Sequence, residues 1–298
     1  MENKLFIKHA SELVTCAGSF PKIGKEMNDI GIIQDGALII EHDTIIALGT
    51  TAELLRTHNA QDMPVIDATG KCVLPGFIDA HTHFVFAGDR SEEFSWRLNG
   101  MRYLDIMERG GGIMNTVRST RKATKEELVK LSQQRLDNML AMGVTTIEGK
   151  SGYGLDLETE RKQLEVMKEL QQAHPVEIVP TFMGAHAIPP EYKGRSEEFV
   201  DYLIGQVLPV VAKSGLAAFC DVFCEQGVFS VAESRKLLLA AQNLGLRSKL
   251  HADEIVPLGG AELAAEIGAV SAEHLLHISA QGIERMAATK TVGVLLPA

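Results

Sequence analysis

His81 and His83 stand one residue apart in the run Pro75-Gly76-Phe77-Ile78-Asp79-Ala80-His81-Thr82-His83. On a helix such a pair would point roughly 200° apart. On a β-strand both side chains leave the same face, and two neutral imidazoles there can bind one divalent ion. Three further histidines follow short apolar runs: His186 after residues 176–182, His251 after 247–250, and His274 after 269–272. Half of the ten histidines thus fall just past strand-like segments, which favours a metal site over histidines packed separately in a core. His9, His42, His58, His174 and His277 have no such setting and are expected to be structural or superficial.

Carboxylates stand near this set. Glu254 comes three residues after His251, close enough to take a proton from an activated water and return it to a leaving nitrogen. Asp79 shares the strand face of His81 and is expected either to orient a ligand or to make a structural hydrogen bond. Arg90, in Ala87-Gly88-Asp89-Arg90, offers a fork that can grip a carboxylate in two places. The run Arg109-Gly110-Gly111-Gly112-Ile113 fits neither phosphate-loop spacing and is expected to form a mobile cover over the site. Cys220 and Cys224 lie in an apolar stretch and are expected to be buried structural thiols, not metal ligands.

The elements that must hold these residues follow a simple alternation. Residues 36–40 and 44–48 are short aliphatic runs around a His42-Asp43 turn, so residues 1–70 are expected to form a small β domain. From residue 71 to 298, seven candidate strands (73–79, 144–148, 176–182, 218–223, 247–250, 269–272, 291–296) alternate with helical segments. Thr124 with Glu127, and Ser230 with Glu233, form capping boxes, while Gly143 and Gly245 stand where the helices should stop. Strand–helix alternation predicts an α/β fold of parallel strands, a barrel or a doubly wound sheet. In a barrel, side chains at the carboxyl ends of the strands face a common mouth.

Composition narrows the class. The chain has 298 residues, 45% hydrophobic and 23% charged, enough for one large core with a smaller domain beside it. A formal net charge of -10 with no basic run argues against a nucleic-acid partner. No apolar run nears the roughly 18 residues that cross a bilayer, and Met1–His9 lacks an apolar signal region, so no membrane partner and a cytoplasmic location are expected.

Residues 75–83 resemble the signature of the amidohydrolase superfamily, which pairs a TIM (β/α)₈ barrel with a β-sandwich built from both chain ends. Residues 83–90, 110–117, 150–154 (Lys-Ser-Gly-Tyr-Gly), 182–192 and 249–254 further resemble the imidazolonepropionase family. That resemblance implies hydrolytic ring opening of 4-imidazolone-5-propanoate to N-formimidoyl-L-glutamate. It implies His81, His83 and His251 as ligands of one zinc or iron ion. Arg90, Tyr153 and His186 would contact the substrate, a small molecule with a carboxylate that Arg90 receives. Glu254 would shuttle the proton, His274 would hold or polarise the water, and His186 would help to stabilise an oxyanion. A homodimer is implied by the family alone. Binuclear relatives carry a carboxylated lysine on barrel strand four; here that strand reads Phe-Cys-Asp-Val-Phe-Cys, so a single ion is expected. The family's fourth ligand, an aspartate ending strand eight, has no counterpart before Ala298, so the chain is expected to be a fragment, poorly stable and largely inactive alone. Two alternatives remain: a mononuclear nucleobase deaminase, for which Arg90 would have no carboxylate to bind, and a non-catalytic scaffold that has lost its metal.

Overall fold

The computed structural model describes residues 4–18, 22–101, 105 and 111–297, which fall into two compact units, Met1–Gly76 and Phe77–Ala298. The first is built on a five-stranded sheet. Lys4–Val14 (β1) pairs antiparallel with Ile32–Glu41 (β2), and β2 with Thr44–Thr50 (β3). The turn between β2 and β3 is His42-Asp43, with Glu41 opposite Thr44. Val65–Asp67 (β4) and Cys72–Val73 (β5) both run parallel to β1. A helix over Thr51–Thr57, which the sequence reading passes over, is capped by Thr50 and Glu53 and buries Leu54 against Phe6, Ala37 and Ile39. It is too short to show a helical period, and its capping box is the one signal it leaves.

The single strand expected over residues 73–79 is divided. Cys72–Val73 belongs to the first unit, and Phe77–Thr82 (β6) opens the second. Pro75 lies between them and cannot donate a ladder hydrogen bond, which ends one strand before the next begins.

The second unit is a parallel sheet of seven strands whose order in space is their order in sequence: β6, Val144–Lys150 (β7), Glu177–Ala185 (β8), Phe219–Cys224 (β9), Arg247–Ala252 (β10), Ser271–His274 (β11) and Val292–Val294 (β12). Helices fill every crossover, as parallel pairing requires. Lys125–Ala141 and Val231–Asn243 begin at the capping boxes of Thr124 and Ser230, each hydroxyl accepting the N–H of a glutamate three residues on. Gly143 then carries the chain into β7 at φ +89, where a side chain would strain the backbone. The seven strands curl into a nearly closed barrel. A cleft of about 620 Å³ separates its flanks, lined by residues 77–81 of β6 on one side and 294–297 on the other.

Alternation along the strands sorts the side chains. On β9, Cys220, Val222 and Cys224 pack into the core under the helices with Leu237, Leu238 and Phe229. Asp221, between them, points to the barrel interior, within 2.7 Å of Lys150 from β7. Burial pushes both thiols up, Cys224 to about 11, so they are inert packing residues.

Candidate active site

The carboxyl ends of β6, β10 and β11 bring His81, His83, His251 and His274 together, and the loop after β8 adds His186. The rings of His81 and His251 lie 4.5 Å apart, and His274 sits 5.0 Å from the first and 5.1 Å from the second. His186 stacks on His83 at 4.4 Å with a 13° tilt. Asp79 accepts the backbone N–H of His81 at 3.2 Å and leaves the imidazole to other partners.

Those partners set which ring nitrogen carries a proton. His83 Nδ1 faces the Ser151 carbonyl at 3.1 Å, so it donates there and Nε2 keeps its lone pair. His251 Nδ1 lies 3.1 Å from Asp221 Oδ2, off the line of a good hydrogen bond but beside an acceptor alone. His81 Nδ1 pairs with Glu273 Oε2. The Nε2 atoms of His83 and His251 are 3.4 Å apart, and where both rings carry their proton on Nδ1 two lone pairs face each other. Such a contact is repulsive unless a cation stands between them. Tetrahedral zinc, with Zn–N of about 2.0–2.1 Å, holds neighbouring nitrogens about 3.4 Å apart. One nitrogen from each of His81, His83 and His251 lies within 4.8 Å of the others. Burial, then the neighbouring imidazoles, holds His83 and His251 well below the ordinary histidine value, so both are in the neutral form a metal needs. The residues fit a single divalent cation.

Around this point the other expected residues take separate stations. Glu254 is half-buried, with Oε2 3.6 Å from His274 Nε2. Burial and then Glu225 raise its carboxyl above the usual range. Burial pushes His274 down to about 4. His274 also has φ 72 and Leu275 φ 60, a left-handed pair that swings the chain sharply off β11. His186 directs Nδ1 to the Gly152 carbonyl at 3.1 Å and is pushed to about 4 by burial. Its Nε2 is therefore an acceptor, which does not suit the expected donor to an oxyanion. Tyr153 lies 5.4 Å from both His83 and His186, ring centre to ring centre. Arg90 is further out. Its Nε and Nη2 both rest on Glu93 Oε2, at 2.8 and 2.7 Å, and its charge reaches the Tyr153 hydroxyl.

Sequence reasoning missed the residues that hold these in place. Glu160 sends a buried carboxylate under the Lys-Ser-Gly-Tyr-Gly loop and accepts the N–H groups of Gly152, Gly154 and Leu155. Gly152 has φ +103, and a Cβ there would stand 2.9 Å from His186 Nδ1, so only glycine lets the ring and the loop meet. Glu93 joins Arg90 to the N–H of Gly112 at 2.9 Å. Of the glycine run expected to cover the site, Arg109 and Gly110 lie outside the described residues. A first-turn carboxylate after a glycine loop was the only sequence signal for Glu160.

No family model matches the chain. A curated imidazolonepropionase of Clostridium tetani is 57% identical over 296 residues, 99% of this chain and 71% of that protein. Its counterpart in Parabacteroides distasonis is 53% identical over 298 residues, 100% of this chain and 72% of that one. Among solved structures, 5-methylcytosine deaminase from Klebsiella pneumoniae superposes with a TM-score of 0.66 at 15% identity, over 97% of this chain and 64% of that chain. A Xaa-Pro dipeptidase gives 0.65 at 15% identity, over 98% and 66%. At that identity the solved structures speak for the fold alone.

Proposed function

The chain belongs to the imidazolonepropionase family, and from that premise we propose that its histidine-lined mouth uses water to open the ring of 4-imidazolone-5-propanoate, giving N-formimidoyl-L-glutamate. The observation that carries this reading is the 3.4 Å approach of His83 Nε2 and His251 Nε2, the spacing that two ligands of one tetrahedral cation would take. His81, His83 and His251 would hold one zinc or iron ion. When bound, the ion supplies Lewis acidity, making water a nucleophile near neutral pH and polarising the ring carbonyl.

The chain's own groups do the rest. Glu254 stands beside His274 with a raised affinity for a proton. It takes the proton of the attacking water and passes it to the ring nitrogen as the C–N bond breaks, so that no net proton is gained or lost. His274, 3.6 Å from Glu254 and neutral at physiological pH, orients the water without competing for its proton. His186 offers a lone pair, so it accepts an N–H of the imidazolone ring and sets the ring's orientation over His83. Tyr153 bounds the same wall. Arg90 receives the propionate once Glu93 yields one of its two contacts, a charge-assisted exchange between carboxylates.

The test is loss of imidazolonepropionate absorbance on adding the purified full-length enzyme, before and after chelation. Turnover should vanish with chelator and return with zinc or ferrous ion. Turnover that ignores the chelator would defeat the metal reading, and deamination of cytosine in its place would defeat the substrate.

A further inference from the structure

Beneath the histidines lies a second layer of side chains that the proposed chemistry does not touch. Lys150, fully buried, places its Nζ 2.7 Å from Glu148 Oε1, 2.7 Å from Asp221 Oδ2 and 2.8 Å from Glu273 Oε2. Lys249 joins Glu148 to Glu273, the latter at 2.9 Å. Ser271 Oγ donates to Glu273 Oε1 at 3.1 Å, and Asp221 Oδ1 accepts the N–H of His251 at 3.1 Å. Three carboxylates and two ammonium groups from β7, β9, β10 and β11 thus interlock inside the barrel, where branched aliphatic side chains are the usual filling. Apolar residues of similar volume are often at least as stabilising as buried ion pairs. So many buried charges call for a reason other than stability.

The sharing of oxygen atoms supplies one. Asp221 Oδ2, which Lys150 grips, is the oxygen beside His251 Nδ1. Glu273 Oε2, which Lys150 also grips, is the oxygen on His81 Nδ1. One ammonium group therefore sets the position of both carboxylates that orient two of the three cation-facing rings. It also occupies the space among Asp221, His251 and Glu273, whose oxygen and nitrogen atoms lie close enough together to trap a cation below the histidines.

We infer that Lys150 is a positioning residue: through Glu273 and Asp221 it aims His81 and His251 at a single cation and keeps that cation out of the carboxylate layer. The inference rests on the metal site proposed above. Its geometry follows the general rule that a carboxylate on the far nitrogen of a ligating histidine fixes ring orientation and tautomer, with losses of about 10–100-fold in metal affinity when it is removed.

The test uses zinc alone, with the full chain and three variants: Lys150→Met, Glu273→Gln and Asp221→Asn. Zinc affinity is measured by competition with a chelating dye, and melting temperature is measured with and without zinc. The expected result is a 10–100-fold weaker zinc affinity in Glu273→Gln and Asp221→Asn, with a smaller zinc-induced rise in melting temperature. Lys150→Met should show the same weakening with a larger fall in zinc-free melting temperature. If Lys150→Met fails to fold, the two isosteric variants decide. Variants that bind zinc as tightly as the parent, changing only the zinc-free melting temperature, would overturn the inference and leave the layer a structural one. A parent chain that binds no zinc would instead overturn the metal site itself.

Discussion

Two layers of the same barrel interior answer burial in opposite ways. At the mouth, burial pushes His83, His186, His251 and His274 down, and all four are neutral. One layer below, Lys150 is still more deeply enclosed, yet Asp221, Glu273 and Glu148 outweigh the burial and hold it charged. Asp221 likewise stays ionised, since Lys150 overcomes the upward push of burial. Low dielectric penalises a lone charge and strengthens a paired one, so the number of opposite partners within hydrogen-bond reach decides the sign. The lower layer spends its partners on staying ionised, and the upper layer is left with lone pairs free to bind.

The comparison can be broken most decisively at the mouth. His251→Ala should reduce turnover to background and metal content towards zero; an active, metal-replete variant would erase the distinction between the layers. Glu254→Gln should keep the metal and lower kcat/KM by about 10²–10⁴-fold. In the parent, activity falls as pH drops through the Glu254 pKa, because the base works only when ionised. Burial and Glu225 raise that pKa, so the acid limb should lie above the usual carboxylate range and be missing from the variant's residual rate. Arg90→Ala should raise KM for the propionate substrate by about 10–100-fold, the size of a charged hydrogen bond, with little change in kcat. The smallest effect sharpens the comparison in the chelated protein. Burial lowers His186 in the folded chain from 6.5 to about 4, so between those values the unfolded chain binds more protons. Stability should therefore decline as pH falls from 6.5 to about 4 and then level. His186→Asn should flatten part of that decline in urea midpoints, and an unchanged slope would mean that the ring titrates as if in water.

Much of the barrel was legible because its signals are local. Alternating strands and helices, two capping boxes and the His-x-His spacing each sit within a few residues. All seven expected strands are present, with the first displaced to Phe77–Thr82 by Pro75. The lower layer was not legible. Glu148, Lys150, Asp221 and Lys249 sit in strands, where sequence alone cannot say whether a charge points to the barrel axis or to the helices. Glu273 was passed over for the histidine beside it, though it is Glu273 that meets His81. The likeness to relatives pointed to the histidines of the mouth, and the charged residues that meet them do so by tertiary pairing up to 192 residues apart in sequence. Arg90 shows the converse: its type and place suggested a carboxylate, and in the structure it already holds one, Glu93.

The left-handed backbone at His274 has a bearing on how such a protein can change. A residue with a Cβ held at φ 72 stores about 1–3 kcal/mol of backbone strain that glycine would release. His274→Gly would thus make the chain more heat-tolerant while deleting an imidazole from the mouth. A selection scheme that rewards surviving protein without demanding turnover should drift towards glycine at this position, and one that demands both should keep the histidine and find its tolerance elsewhere.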